Sequence, residues 1–209
     1  MKFYDCQTAP SPRRSRIFLA EKGLSVETIQ VDLRSGEHLT SKFKEINPFC
    51  TVPVLELDDG TRLKSTAGIW NYLESFLEEP CLMGRTPIER GIIADLQWHI
   101  EMDGFMAMAE FIRNSTPGLK GRALTGPESY EQIPEIAERG KKRLQHFFDS
   151  FDEHIGRKNY VAGESFSIAD IDLLVLIDFA AWKKFKIPEN AKNARRWYEN
   201  VSNRPSAKK

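Results

Sequence analysis

The chain has 209 residues, of which 41% are hydrophobic and 11% aromatic, so it can bury the core of one large domain or two small ones. Thirty basic and thirty acidic residues cancel and form no long block of like charge, which excludes nucleic acid and anionic membranes as expected partners. The chain does not open on an apolar signal region, and no apolar run reaches the roughly 20 residues that span a bilayer, so we expect a cytoplasmic protein. Its three cysteines form no C-x-x-C pair, so neither a disulfide framework nor a metal site is predicted.

The first part of the chain alternates between strand and helix patterns. The predicted elements are a strand at residues 2–7, a helix at 13–22, a strand at 26–31 and a short polar helix at 36–46. A strand, a helix and a second strand in this order normally form a right-handed unit with parallel strands. Ser11 followed by Pro12 predicts the cap and the first residue of the first helix.

The stretch from residue 46 to residue 69 has the most specific pattern. It predicts a strand at 54–57, a turn at 58–60 and a returning strand at 61–64. Because a proline cannot donate to a ladder, Pro53 is expected at the first residue of a strand or in a tight turn, with a cis Val52-Pro53 bond. Ser65 stands where the second strand stops and an apolar helical run begins, so its hydroxyl and the first amides of that helix are expected to face one point.

From residue 87 onward the pattern indicates helices only. Long helices are predicted at 87–112 and 133–154, followed by an entirely apolar run at 171–181. Ser167 and Asp170 have the three-residue spacing of a capping box at the start of that run. We therefore expect this pair to satisfy the first amides of a buried helix.

These motifs together resemble the cytosolic glutathione S-transferases. The order Asn-Pro, Val-Pro, hairpin and serine at a helix start, over residues 47–65, resembles their thioredoxin-like domain, and the Gly-x-x-x-Ser-x-Ala-Asp element at 163–170 resembles a helix start in their C-terminal domain. The resemblance covers nearly all of the chain and implies a bacterial-type member whose class stays open. It implies an α+β fold class, with a thioredoxin-like N-terminal domain (βαβ-α-ββα) at residues 1–80 and an all-α C-terminal domain at 87–209 that contributes the electrophile pocket. The family is usually homodimeric.

The same resemblance implies an enzyme, a glutathione S-transferase that takes glutathione as co-substrate, holds no metal and acts in detoxification. Such enzymes hold glutathione as the thiolate, which attacks a small hydrophobic electrophile in conjugation or peroxide reduction. Lowering a thiol pKa by two units from about 8.5 requires about 3 kcal/mol, which one hydroxyl donor and the amides of a helix N-terminus can supply. The alternative is a non-catalytic protein of the same fold that acts through protein contacts.

The predicted thiolate donor is a hydroxyl in the loop after the first strand. Ser11 matches the position of the cysteine in the beta class, and Thr8 in the same loop is the second candidate. The serine of theta-, phi- and zeta-like classes falls nearer Ala9, and a purely structural role of Ser11 as a helix cap stays open. Tyr4 and Cys6 lie within the strand and are expected to pack against the sheet.

The resemblance also assigns glutathione contacts. The expected contact residues are His38, Thr51, Val52, Pro53, Lys64 and Ser65. Val52 and Pro53 would hold the peptide backbone of glutathione, Ser65 the γ-glutamyl carboxylate and His38 the glycyl end. Lys64 stands where the family has a glutamate, and losing that charge-assisted bond would weaken the affinity about ten- to hundredfold. In the other readings, Lys64 reaches the γ-glutamyl carboxylate or points into water.

The electrophile pocket is expected between the domains. Its expected residues are Pro10, in the loop at 8–12, and Trp98, Met102, Phe105 and Met106 on the long helix. Methionine and aromatic side chains form an adaptable apolar surface that suits varied ligands. Residues at such helical spacing also form ordinary cores, so that reading stays open.

Overall fold

The computed structural model describes residues Met1–Lys209, which form two compact units. The first unit contains residues 1–80 with 125–128 and 209, and the second contains residues 81–124 with 129–208. No helix combines the length and the hydropathy needed to cross a membrane.

The first unit combines a four-stranded sheet with helices. Its elements are β1 (Lys2–Asp5), α1 (Pro10–Glu21), β2 (Glu27–Gln30), a 3₁₀ turn (Glu37–Leu39), α2 (Ser41–Ile46), β3 (Val54–Glu56), β4 (Arg62–Leu63) and α3 (Thr66–Phe76). The strand order is β2-β1-β3-β4, with β1 parallel to β2 and antiparallel to β3, and β3 antiparallel to β4. The element order is the predicted one, and each strand is one or two residues shorter than its pattern suggested.

The start of α1 differs from the prediction. The capping position is Ala9 rather than Ser11, and Pro10 rather than Pro12 occupies the first helical position. Ala9 is extended (φ −92°, ψ 140°), as residues before proline prefer, and the fixed φ of Pro10 suits the first turn of a helix. Ser11 is therefore the second residue of α1, and no side chain caps the helix.

The sheet topology gathers several chain segments at one edge. Because β1 and β2 are parallel and β3 runs opposite to β1, the ends of β1 and β2 lie beside the start of β3. Because β4 runs opposite to β3, its end lies at the same edge. The helices α1 and α3 follow β1 and β4, so both begin there. Two helix N-termini thus meet at this edge, which favours bound anions.

Apolar side chains hold this unit on both faces of the sheet. One buried cluster contains Tyr4, Val31, Phe43 and Val54, with Val52 packed against it. Phe18 of α1 stacks on Trp70 of α3, with ring centroids 5.9 Å apart. This contact packs α1 against α3.

The second unit is helical. Its elements are α4 (Pro87–His99), a π-helical turn (Ile100–Phe105), α5 (Met106–Ser115), a 3₁₀ turn (Pro117–Leu119), α6 (Pro134–Ile155), α7 (Ile168–Ala181), α8 (Lys192–Ser202) and a 3₁₀ turn (Pro205–Lys208). The single long helix predicted at 87–112 is thus divided by a π-helical turn. Arg143 donates a hydrogen bond of 2.6 Å to the Met102 carbonyl within that turn.

The capping box predicted at the start of α7 is present. The Ser167 hydroxyl accepts a bond from the Asp170 amide, and the Asp170 carboxylate accepts one from the Ser167 amide at 2.9 Å. Nearly every residue of α7 is buried, so water cannot satisfy its first amides. The pair supplies those partners from within the chain.

Candidate functional site

The sheet edge carries a tight turn between β1 and α1. The Ala9 amide donates to the Cys6 carbonyl at 2.9 Å, which closes the turn. Thr8 lies exposed in it, with its hydroxyl 3.5 Å from the buried Cys6 sulfur. Ser11 follows in the first turn of α1. Both predicted hydroxyls therefore lie at the same edge, one in the turn and one on the helix.

A buried arginine lies beside the first turn of α1. The first turn contains no acidic side chain, and the Arg14 guanidinium lies 3.5 Å from the Ser11 hydroxyl oxygen. Arg14 is buried, and its guanidinium also lies 6.0 Å from the centre of the Trp70 ring. A cation behind the hydroxyl favours an anion in front of it. Sequence reasoning missed this contact, although its signal is the spacing of three residues on one helical face.

Tyr4 and Cys6 are both packed, as expected, although Cys6 directly follows β1 and does not lie within it. Both are buried, and the Tyr4 ring belongs to the core cluster. Burial and the Glu56 carboxylate raise the pKa of Tyr4. A phenol in these surroundings holds its proton more firmly than one in water, so it is a poor candidate for acid–base work.

The Val52-Pro53 bond is cis, as predicted, and a buried asparagine shapes the loop before it. The Asn47 side-chain amide donates to the Thr51 carbonyl at 2.8 Å and to the Thr51 hydroxyl at 3.0 Å. The Asn47 side-chain oxygen accepts from the Phe49 amide at 3.0 Å. Thr51, one of the expected glutathione contacts, therefore has a structural bond through its hydroxyl.

Val52 lies in the loop before β3, and its main-chain polar groups are unpaired. Its side chain packs against the core cluster, while its N–H and C=O make no hydrogen bond within the chain. An extended segment with open main-chain groups can pair with another peptide backbone. This is the chemistry expected of Val52 and Pro53 for the backbone of glutathione.

Ser65 and Lys64 continue from the last strand. Leu55 pairs with Leu63 in the β3–β4 ladder, so extending this register by two residues places Ser65 opposite Pro53. Ser65 is the N-cap of α3, and its hydroxyl accepts from the Gly68 amide at 3.0 Å. Lys64 is half-buried and has no ion pair or hydrogen bond within the chain.

His38 lies apart from these residues in the sequence but follows the end of β2. It occupies the middle of the 3₁₀ turn Glu37–Leu39 and is half-buried. The end of β2 lies at the same sheet edge, so the topology is compatible with its expected contact to the glycyl end.

Three of the residues expected in the electrophile pocket form an exposed apolar surface. Trp98, Met102 and Met106 are 56%, 38% and 42% exposed, respectively. Phe105 is only 7% exposed and belongs to the interior of the second unit. The π-helical turn changes the residue spacing there, so α-helical periodicity assigned Phe105 to the wrong side. Pro10 is half-buried at the start of α1 in the first unit.

A groove of about 550 Å³ in the second unit was not predicted. Its lining includes His99, His146 and His154, three of the four histidines of the chain. His99 Nδ1 lies 3.2 Å from an Asp103 carboxylate oxygen, and burial lowers the pKa of His154. No three His, Cys, Asp or Glu side chains are arranged to hold a metal ion. The sequence pattern could not reveal the groove, because its residues lie on helices far apart in the chain.

Comparisons with known proteins identify the family. The model of the glutathione S-transferase N-terminal domain matches residues 8–75, and the model of the C-terminal domain matches residues 105–205. Glutathione S-transferase 2 of Saccharomyces cerevisiae is 37% identical over 212 residues, which cover 100% of this chain and 88% of that protein. The chain belongs to the glutathione S-transferase family.

Solved structures of glutathione S-transferases share the whole fold. The crystal structure of Gtt2 from Saccharomyces cerevisiae has 37% identity and a TM-score of 0.90, covering 100% of this chain and 99% of that one. A glutathione S-transferase domain-containing protein of Marinobacter aquaeolei has 35% identity and a TM-score of 0.90, covering 99% of each chain. The predicted thioredoxin-like domain followed by helices is thereby confirmed. The sheet edge described above, from Thr8 to Ser65, lies within the match to the N-terminal domain of the glutathione S-transferases.

Proposed function

We propose that the protein binds glutathione at the edge of the sheet in the first unit and activates its thiol for attack on a small hydrophobic electrophile. The products would be a thioether conjugate and the released leaving group or, with a hydroperoxide and two molecules of glutathione, an alcohol, water and oxidised glutathione. The supporting observation is the open main chain of Val52 opposite β1, next to two helix N-termini without acidic residues in their first turns. Membership of the glutathione S-transferase family supports glutathione as the ligand.

The charges at this edge suit glutathione, which has two carboxylates and a thiolate. In the proposal, Ser65 and the first amides of α3 bind the γ-glutamyl carboxylate. Lys64 binds the same carboxylate, because it has no acidic partner of its own and follows directly on β4. His38 contacts the glycyl end. Thr51 acts mainly by holding the loop through Asn47.

The thiolate is proposed to lie at the start of α1. The Ser11 hydroxyl donates a hydrogen bond to the thiolate sulfur, while Arg14 donates to the Ser11 oxygen and leaves the hydroxyl hydrogen free to point outward. Thr8 is the second candidate donor. Trp98, Met102 and Met106 are proposed to contact the apolar electrophile. We further propose that the protein is cytoplasmic and forms a homodimer. Light scattering of the purified protein tests the homodimer.

The proposal is tested by calorimetric titration with glutathione at neutral pH. We expect a dissociation constant of about 1 mM or tighter, weakened about tenfold in Ser65→Ala. Ser75→Ala is the matched control, because Ser75 lies on the same helix and bonds only to the Asn71 carbonyl. Absence of binding up to about 10 mM would contradict the proposal and favour the alternative, a protein that acts through protein contacts.

Lys64 has a test of its own. Lys64→Met should weaken glutathione binding about tenfold, since one charge-assisted contact is lost. Lys64→Glu should weaken it further by repelling the carboxylate. If Lys64→Glu instead tightened binding, the lysine would be repelling the glutathione ammonium, and its proposed role would be wrong.

The thiolate donor is assigned by paired variants. Ser11→Ala should lower the rate with an activated aryl chloride about tenfold or more and raise the pKa of bound glutathione, which the ultraviolet absorbance of the thiolate reports. Thr8→Val should leave both unchanged. The opposite pattern would move the role to Thr8.

A further inference from the structure

Side chains from two other elements hold the turn between β1 and α1. Arg16, on α1, donates from Nη2 to the Gln7 carbonyl at 3.0 Å and from Nη1 to the Cys6 carbonyl at 3.4 Å. Gln30, the last residue of β2, accepts from the Gln7 amide at 3.0 Å. Both main-chain groups of Gln7 are therefore bound by side chains, although Gln7 itself is exposed.

A buried carboxylate links these two side chains. Asp5 is 1% exposed, and its two oxygens accept from Arg16 Nη1 at 2.5 Å and from Gln30 Nε2 at 2.7 Å. The three side chains thus form a closed network beneath the turn. Arg16 reaches a carboxylate and a main-chain carbonyl with different nitrogens, which the planar guanidinium allows and a single ammonium does not.

We propose that Arg16, Asp5 and Gln30 are positioning residues for the reaction, because they hold the turn that places the thiolate donor. The inference rests on the proposed function. Ser11 lies four residues after Gln7. Movement of the turn would therefore move the Ser11 hydroxyl relative to the sulfur of glutathione. A displacement of about 1 Å can cost on the order of a hundredfold in rate. The glutathione contacts at Val52 and Ser65 are on other segments and are not held by this network.

This separation gives the inference a specific signature. Arg16→Lys keeps a cation near Asp5 but cannot also reach the Gln7 carbonyl. We expect kcat with an activated aryl chloride to fall about ten- to hundredfold, while the dissociation constant of glutathione changes less than about threefold. The pKa of the bound thiol should rise, as followed by thiolate absorbance over a pH series.

A second variant protects the test against a folding defect. Gln30→Met has a similar volume and removes two bonds. The Gln7 amide can then bond to water because Gln7 is exposed, and Asp5 loses the Gln30 amide but keeps its ion pair with Arg16. The variant should show the same loss of kcat in a smaller degree. The matched control is Arg62→Lys, because Arg62 also bonds a carboxylate and a carbonyl in this unit, those of Glu56 at 2.7 Å and Glu45 at 2.6 Å, away from the turn. The control should keep the unmodified kcat.

These measurements distinguish a positioning role of the network from a purely structural one. If the folded Arg16→Lys and Gln30→Met variants keep the kcat and the thiol pKa of the unmodified protein, the inference is wrong. It is also wrong if their activity falls only in proportion to the folded fraction measured by urea unfolding, since the network then has a structural role alone. If the unmodified protein neither binds nor turns over glutathione, the proposed function fails first, and this observation requires no variant.

Discussion

The indole nitrogen of Trp197 donates a hydrogen bond of 2.8 Å to Oδ1 of Asp170, and both side chains are buried. The same carboxylate accepts bonds from the Val161 amide and from the amide and hydroxyl of Ser167. One residue of the capping box therefore joins α7 to α8 and to the loop that precedes α7. We therefore expect Asp170 to stabilise the packing of these three segments as well as the start of α7.

Trp197→Phe should destabilise the second unit by about 2 kcal/mol at neutral pH, because a buried carboxylate loses a charge-assisted partner. The measurement is the free energy of unfolding in urea. Trp182→Phe is the control, since Trp182 is 58% exposed, and it should change the free energy by less than about 0.5 kcal/mol. Equal effects of the two substitutions would contradict the role of the bond.

The stability of the protein should depend on pH through Asp170. Burial raises the pKa of Asp170 from 3.8 to about 6, although four hydrogen bonds oppose the shift. At pH values between 3.8 and about 6, Asp170 holds a proton in the folded protein that it has released in the unfolded chain. The contribution of this group to stability therefore falls as the pH rises from about 4 to 6, by on the order of 3 kcal/mol.

The matched comparison for this pH effect is Asp170→Asn, which does not titrate. Subtracting its unfolding free energy from that of the unmodified protein removes the opposite trend from Asp32, Asp59 and Glu89, whose pKa values are lowered by hydrogen bonds. We expect the difference to decrease with rising pH. A difference that increases would show that the hydrogen bonds outweigh burial and lower the pKa.

Gly140 should not tolerate a methyl group. A Cβ there would lie 2.6 Å from the Ala107 carbonyl oxygen and 2.7 Å from the Phe111 amide, where α5 packs on α6. Gly140→Ala should destabilise the protein by about 1–3 kcal/mol. Gly91→Ala is the control in α4, because nothing lies within 4 Å of its Cβ position, and it should stabilise by up to about 1 kcal/mol. Similar effects on the urea midpoint would refute close packing at Gly140.

Lys22 should stabilise the segment that follows α3 at the end of the first unit. Its side chain is fully buried and pairs with Glu74 at 2.6 Å. It also donates to three main-chain carbonyls after α3, those of Leu77, Glu78 and Pro80, at 2.6–3.3 Å. Lys22→Met should cost about 3 kcal/mol of unfolding free energy, because the carbonyls and Glu74 lose a buried cation.

Hydrogen exchange distinguishes this effect from a general loss of stability. In Lys22→Met the amides of residues 77–79 should exchange faster at low denaturant, before global unfolding. Lys42→Met is the control on an exposed lysine and should leave both exchange and stability unchanged. Unaltered exchange in the Lys22 variant would show that α3 ends without help from the lysine.

Patterns within a few residues predicted much of the molecule. The capping box of Ser167 and Asp170, the hairpin after Pro53 and the serine at the start of α3 were all predicted correctly. Each depends on bonds between residues three or four apart, or on the conformational limits of proline and glycine. Such motifs can be recognised in a single sequence, since no distant residue is needed to form them.

Competing local signals caused the errors. Pro10 and Pro12 both suit the first turn of a helix, and only the structure shows that Pro10 takes the first position and Ser11 the second. Phe105 was assigned from an α-helical period, which the π-helical turn at residues 100–105 interrupts. In that turn, the Met102 carbonyl accepts a bond from Arg143 of α6, a residue 41 positions away that no local pattern relates to it.

The order of elements and the motifs that resemble the family follow from the sequence alone, because they rest on periodicity and on turn chemistry. The partners of Asp5, Lys22 and Asp170 required the tertiary structure. Gln30 reaches Asp5 from 25 residues away, Lys22 reaches Pro80 from 58, and Trp197 reaches Asp170 from 27. Buried polar groups must find a partner wherever the fold places one, and that choice is made by packing rather than by neighbouring residues.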